Sequence, residues 1–393
     1  MVSPNATGEG GMEARHLETI AVHSGNEPEP LTGAVAQPIH MTTTFARDEN
    51  GALPAQYIYS RTDNPTRRSL EKCLAELEGV SPDNCVTFAS GLAAAGAVFH
   101  ALRPGDHVLA PLSAYYAIQK WLTEVIGPWG LESSFVDMRD TAAVRAAIRP
   151  NTRLIWIETP SNPTLDVTDI AAVVAIARET GSLVACDNTW ATPLLQRPID
   201  LGADVVVHST TKYFGGHSDV TGGSVLVSNS CSDPDLIARI RAYQTVGGAV
   251  PSPFDCWLIL RGVRSLACRM RAHCDNAEAV AQFFAAHPAV EVVHYPGLAT
   301  DPGHSVASRQ MSRFGGVVSA QIRGGAEGAL RMMSGVRLFV RATSLGGTES
   351  LIEHRLSVEG PASTTPPGLL RLSIGIEHPD DIIADLGAAL ERV

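Results

Sequence analysis

Between residues 84 and 209, short apolar runs alternate with helical stretches, and that alternation leaves the chain few architectures. The runs are NCVTF (84–88), DHVLAP (106–111), TRLIWIE (152–158), SLVACD (182–187) and ADVVVHS (203–209). Several are apolar at consecutive positions rather than at every second one, as in strands of a parallel sheet covered by helices on both faces. Between them, GLAAAGAVFHAL, DTAAVRAAI and TDIAAVVAIARETG carry helical spacing, and the last ends in a glycine suited to a C-cap. A mostly parallel α/β domain is therefore expected over 61–258. The first sixty residues, with several prolines and glycines and weak periodicity, read as an extended arm (1–60). After 258 the texture changes to arginine-rich helical patterns and shorter strands at VVSAQIR and LLRLSIGI. That segment, 259–393, reads as a smaller α+β domain.

Composition excludes several functions. With 41 acidic against 30 basic residues and a net charge of −11, a nucleic-acid or anionic-membrane surface is disfavoured. No apolar run approaches the ~18 residues of a membrane span. The opening MVSPNATGEGGMEAR lacks the apolar stretch of a secretory signal. Seven scattered cysteines contain no C-x-x-C, so reduced thiols in a cytoplasmic enzyme are expected. The thirteen histidines show no metal-ligand spacing, and no metal is expected.

The basic residues narrow the chemistry further. Only Lys72, Lys120 and Lys212 are lysine; the other basic residues are arginine. Lys72 lies opposite the stripe Leu70, Leu74, Leu77, and Lys120 sits in the helical pattern AIQKWLTEVIG, so both read as solvated helix positions. Lys212 instead follows a predicted strand, in Ser209-Thr210-Thr211-Lys212.

Ligands of open α/β sheets bind at the carboxyl ends of the strands. Ser90-Gly91-Leu92 follows the first predicted strand and opens a helix, where free amides bind phosphate. Strand 182–187 ends in Asp187. Phosphate donors, a carboxylate and a lysine on neighbouring strand ends are what pyridoxal phosphate requires: the lysine bonds its aldehyde and an acid keeps its ring nitrogen protonated. Taken singly, each has a plainer explanation. Ser-Gly before a helix is often a cap, as is an aspartate at a strand end. Their conjunction favours the cofactor.

The segments YSRTDNPTRRSLEKCLAELEG (59–79), ETPSNPTLDVTDI (158–170), DNTWATPLLQRPIDLGADVVVHSTTKYFGGHSDVTGG (187–223), TSLGGTESLIEH (343–354) and LLRLSIGIEHPDDIIADL (369–386) resemble the Cys/Met-metabolism family of pyridoxal-phosphate enzymes. That family includes cystathionine γ-synthase, the cystathionine β- and γ-lyases, methionine γ-lyase and O-acylhomoserine sulfhydrylases. The resemblance runs from about residue 15 to the C-terminus. It implies a type I pyridoxal-phosphate transferase fold, with pyridoxal 5'-phosphate as cofactor and a small amino acid as substrate.

Residue by residue, the resemblance makes Lys212 the cofactor-bonding lysine and proton shuttle, and Asp187 the partner of the ring nitrogen. It makes Ser209, Thr211 and the Gly91 and Leu92 amides the phosphate cradle, with Tyr115 stacked on the ring. Asn162, Ser344 and Arg371 would hold the substrate α-carboxylate, although Arg371 alone would pass for an edge-strand surface charge. Tyr59 and Arg61 match a pair that reaches the phosphate of a neighbouring subunit, which implies a dimer with shared sites, assembled in the family into a tetramer. Most relatives carry glycine after the stacking tyrosine; here Tyr116 and Ala117 follow. Tyr116 is then a candidate substrate-side residue, or packs into the following helix. The implied reaction is γ-replacement or γ-elimination on an amino acid with a Cγ leaving group. Cystathionine β-lyase chemistry is an alternative, as is a specialised enzyme joining an unusual nucleophile, even a carbon one.

Overall fold

The computed structural model describes residues 15–360 and 365–393. Its larger sheet has seven strands: β1 (Cys85–Phe88), β2 (His107–Pro111), β3 (Glu132–Val136), β4 (Thr152–Glu158), β5 (Leu183–Asp187), β6 (Val205–His208) and β7 (Gly223–Val227). Their order is β1-β7-β6-β5-β4-β2-β3. The five strands expected from the apolar runs are all present, within two residues at each end. The runs are apolar throughout because β1, β2, β6 and β7 are buried along their whole length, and in β4 only Arg153 is exposed.

Two strands of this sheet were not anticipated. ESSFV in β3 is half-exposed at the sheet edge, so nothing required a continuous apolar run there. β7 returns from the lysine loop and inserts antiparallel between β1 and β6, leaving β3, β2, β4, β5 and β6 parallel. The expected C-cap on the helix Ile170–Thr180 is Gly181, at φ 70°.

A second, mostly antiparallel sheet is formed by β8 (Val290–His294), β9 (Val317–Ile322), β10 (Val340–Arg341), β11 (Leu351–His354) and β12 (Leu369–Ser373), in the order β10-β11-β12-β9-β8. Here β12 is central, not an edge. Arg371 pairs with Glu353 on one side and Ser319 on the other, and is 5% exposed, which overturns the surface-charge reading. The 21-residue helix Leu266–Ala286 contributes to a core shared by the second sheet, the helix Pro65–Glu78 and the segment after Lys212. Within the expected arm, Leu17–His23 is helical, with Leu17, Ile20 and Ala21 joining that core. The rest runs irregularly to Asn64, which caps the next helix by accepting from the Thr66 amide.

Candidate active site

The carboxyl ends of β1, β4, β5 and β6 meet loops from the second sheet around a cavity of about 270 Å³. Ten of the thirteen site residues expected from sequence line it. At one end Ser90 caps the helix Gly91–His100, its hydroxyl accepting from the Ala93 amide at 3.1 Å. That leaves the Gly91 and Leu92 amides for a ligand. A Cβ on Gly91 would come within 2.6 Å of Ser209 Cβ and 2.8 Å of its Oγ, so the approach of helix to strand end requires glycine. Two amides, a helix N-terminus and a hydroxyl make a donor set for phosphate.

At the floor, Asp187 Oδ1 accepts from the Thr189 amide at 3.0 Å and its hydroxyl at 2.5 Å. Both of these bonds fall on Oδ1, and Asp187 lines the cavity. The Thr189 hydroxyl in turn accepts from the Ser209 amide at 2.8 Å, tying the floor to the cradle. Burial raises the Asp187 carboxyl above its ordinary range, against the Thr189 hydrogen bonds and the Lys212 charge. A protonated ring nitrogen would supply the cationic partner that Oδ2 lacks.

Opposite, Lys212 Nζ donates to Ser344 Oγ at 2.9 Å. Burial, reinforced by Arg371, lowers its ammonium to about 8, so its neutral fraction near neutrality far exceeds that of an ordinary lysine. Lys72 is instead paired with Glu27, and Lys120 is exposed. Ser344 has φ 99°, unusual for a side-chain-bearing residue, and its carbonyl accepts from Arg371 Nη2 at 3.0 Å. Arg371 Nη1 donates to Asn162 Oδ1 at 3.0 Å. The three residues assigned to the substrate carboxylate therefore form one hydrogen-bonded unit.

Three expected residues lie outside this cavity. The Thr211 hydroxyl and amide exchange hydrogen bonds with the Gly222 backbone. Tyr59 and Arg61 sit on the exposed arm, with the guanidinium 5.7 Å from the phenol ring and bonded to the Thr245 carbonyl. Tyr116 does line the cavity and is 48% exposed at its mouth, so it does not pack into the following helix. Its ring meets Tyr115 edge-on at 4.8 Å. Burial and the neighbouring Tyr116 push the Tyr115 phenol up to about 12.

Sequence reasoning missed Glu158, Glu353 and Arg355. Glu158 ends β4 and is 4% exposed; its carboxyl accepts from the Tyr115 amide at 2.8 Å and the Asn162 amide at 3.2 Å. It thereby joins the Tyr115 loop to the Asn162 loop. Burial and the facing Asp187 push its carboxyl up to about 8. Its place at the end of a predicted strand was the available signal, to which its residue type added nothing. Glu353 and Arg355 gave none, because the second sheet's pairing alone brings them to the site.

The cavity thus offers a phosphate cradle, a carboxylate for a ring nitrogen and a lysine amine, a set that fits pyridoxal phosphate. Comparison with known proteins agrees. Residues 18–391 match the model of the Cys/Met metabolism PLP-dependent enzymes. The chain is 46% identical over 395 residues to cystathionine gamma-synthase of Mycobacterium tuberculosis, covering 99% of this chain and all of that one. It is 50% identical over 320 residues to a probable cystathionine gamma-synthase of Herpetosiphon aurantiacus, covering 81% of this chain and 98% of that one. The crystal structure of metB from Corynebacterium glutamicum superposes with a TM-score of 0.93 at 42% identity, covering 97% and 99% of the two chains. The chain belongs to the Cys/Met metabolism family of PLP-dependent enzymes, with pyridoxal 5'-phosphate as its cofactor.

Proposed function

We propose that this enzyme catalyses γ-replacement or γ-elimination on an amino acid carrying a leaving group at Cγ. The observation that carries the reading is one cavity lined together by the Lys212 amine, the Asp187 carboxyl and the Arg371 guanidinium. Full-length similarity to cystathionine gamma-synthases supports reaction at Cγ.

Bound there, the cofactor supplies an electron sink for the charge left at the substrate carbons. The chain supplies the rest. Arg371, held by Asn162 and the Ser344 carbonyl, orients the α-carboxylate through its bidentate fork. Lys212 Nζ takes the Cα proton, would deliver it to the C4′ carbon of the bound cofactor, and with its lone pair so regained takes one from Cβ; the Ser344 hydroxyl holds the amine in place between the two transfers. Tyr115 closes the ring-facing side, its phenol kept neutral. Thr211 is assigned to the phosphate with Ser209, Gly91 and Leu92.

Tyr59 and Arg61 lie exposed and outside their own cavity, which supports a homodimer with shared sites; pairing into a tetramer and a cytoplasmic location belong to the same reading through family resemblance alone. The division at 61–258 and 259–393 is retained on the same footing: the two sheets fall on either side of residue 258. Tyr116 at the mouth favours, as a second reading, a nucleophile other than a simple thiol.

The test is to incubate the holoenzyme with O-acyl-L-homoserines, with and without L-cysteine. Cystathionine, or 2-oxo acid with ammonia, is expected. Turnover of cystathionine to pyruvate with none of the γ-substituted substrates would replace this reading with Cβ cleavage.

A further inference from the structure

Beside Arg371 the cavity wall carries a second guanidinium, and the carboxylate-binding unit does not use it. Arg355 opens the short helix Arg355–Glu359 at the mouth, lines the cavity and is 4% exposed. Its Nη1 lies 2.5 Å from Glu353 Oε2, the same oxygen that lies 2.8 Å from Arg371 Nη2. Nε and Nη2 donate to Glu359 Oε1 at 3.1 and 2.6 Å, and Glu359 Oε2 accepts from the Thr365 hydroxyl at 2.6 Å. A guanidinium has five N–H groups. Three of Arg355's are committed among the described residues, which leaves one hydrogen on each Nη nitrogen. The group acts electrostatically on the Tyr115 phenol and the Glu158 carboxyl, the polar groups on either side of the substrate-binding end.

Arg355 and Arg371 flank one carboxylate oxygen, so a ligand atom a few ångströms from the α-carboxylate comes to Arg355. In an amino acid substituted at Cγ, the leaving atom lies about 4–5 Å from that carboxylate, three C–C bonds and one C–X bond along the chain. We propose that Arg355 receives the oxyanion that departs from Cγ, and so selects substrates whose leaving group is a carboxylate or phosphate ester oxygen over those that leave as a neutral thioether. This rests on the γ-chemistry proposed above. In the step concerned, Lys212 Nζ takes a Cβ proton, and the pair from that C–H bond becomes the Cβ–Cγ double bond. The Cγ–O bond breaks and its pair leaves on oxygen as an anion, which meets the two free N–H groups. A sulfonium at Cγ carries its pair away as a neutral thioether and gains nothing from the two N–H groups.

The experiment compares O-acetyl-L-homoserine with S-methyl-L-methionine, a sulfonium, in the wild-type holoenzyme and in Arg355→Gln and Arg355→Lys. Release of 2-oxo acid is followed for both substrates, with cofactor absorbance and thermal unfolding as controls. The ratio of kcat/KM for the ester to that for the sulfonium falls about 100-fold in Arg355→Gln, the size of losing one oxyanion donor. In Arg355→Lys it falls less. An unchanged ratio in both variants, or equal loss on both substrates, overturns the assignment. If Arg355→Gln does not fold, the Lys variant, which keeps the charge and loses the fork, decides by the same ratio. Wild-type inactivity on both substrates counts instead against the γ-chemistry itself, so the two failures are distinguishable.

Discussion

Lys212 shows how much one residue's surroundings decide. Scarcity of lysine singled it out, and its surroundings give it an amine that titrates near neutrality. Burial and the Arg371 charge both disfavour the ammonium, so the neutral amine gains as pH rises through about 8. In cofactor-free protein, acylation of the peptide containing Lys212 should rise with a midpoint near pH 8, read by mass spectrometry against Lys72 and Lys120. Arg371→Gln removes a positive neighbour and should move that midpoint upward. A midpoint unmoved by the substitution would contradict the electrostatic account. The assigned roles of Lys212, Asp187 and Arg371 were legible because their residue types follow from the chemistry. Glu158 was not: its work is to accept two backbone amides, and nothing in its own residue type announces that.

At the scale of elements, what was readable follows burial. Strands covered on both faces wrote continuous apolar runs, whereas β3 at the edge and β10 with both residues exposed wrote none. The turn from β1 into the helix Gly91–His100 was readable through Ser90 and Gly91, since capping and close approach restrict residue type. Gly91→Ala tests that turn. Alanine suits a helix better than glycine by about 1 kcal/mol. Here, however, its Cβ would lie within 2.9 Å of the Ser209 Cα and closer still to the side chain. The expected outcome is at least tenfold weaker cofactor binding by absorbance titration, because the cradle must open. A variant that binds the cofactor normally would mean that the two elements are not fixed against each other.

For the whole molecule, two sheets divide the work. The first brings Gly91, Asp187 and Ser209 to the cavity from the ends of β1, β5 and β6, and the second brings Ser344, Glu353 and Arg371. Meeting of the two could be expected from family resemblance but not from periodicity, because β11 and β12 pair across a gap of fourteen residues. On the proposed reading Tyr59 and Arg61, exposed and outside their own cavity, serve a second copy of the chain. Mixing Arg61→Ala with Lys212→Ala protein, each inactive alone, should restore activity, since one hybrid site carries neither lesion; verified subunit exchange without recovery would contradict a shared site. The account nevertheless stands on one covalent attachment. Borohydride reduction of the holoenzyme, followed by peptide mapping, should find the cofactor fixed on the peptide containing Lys212 and on no other. Cofactor recovered on Lys72 or Lys120, or no labelled peptide from protein that carries the cofactor's visible absorbance, would contradict it.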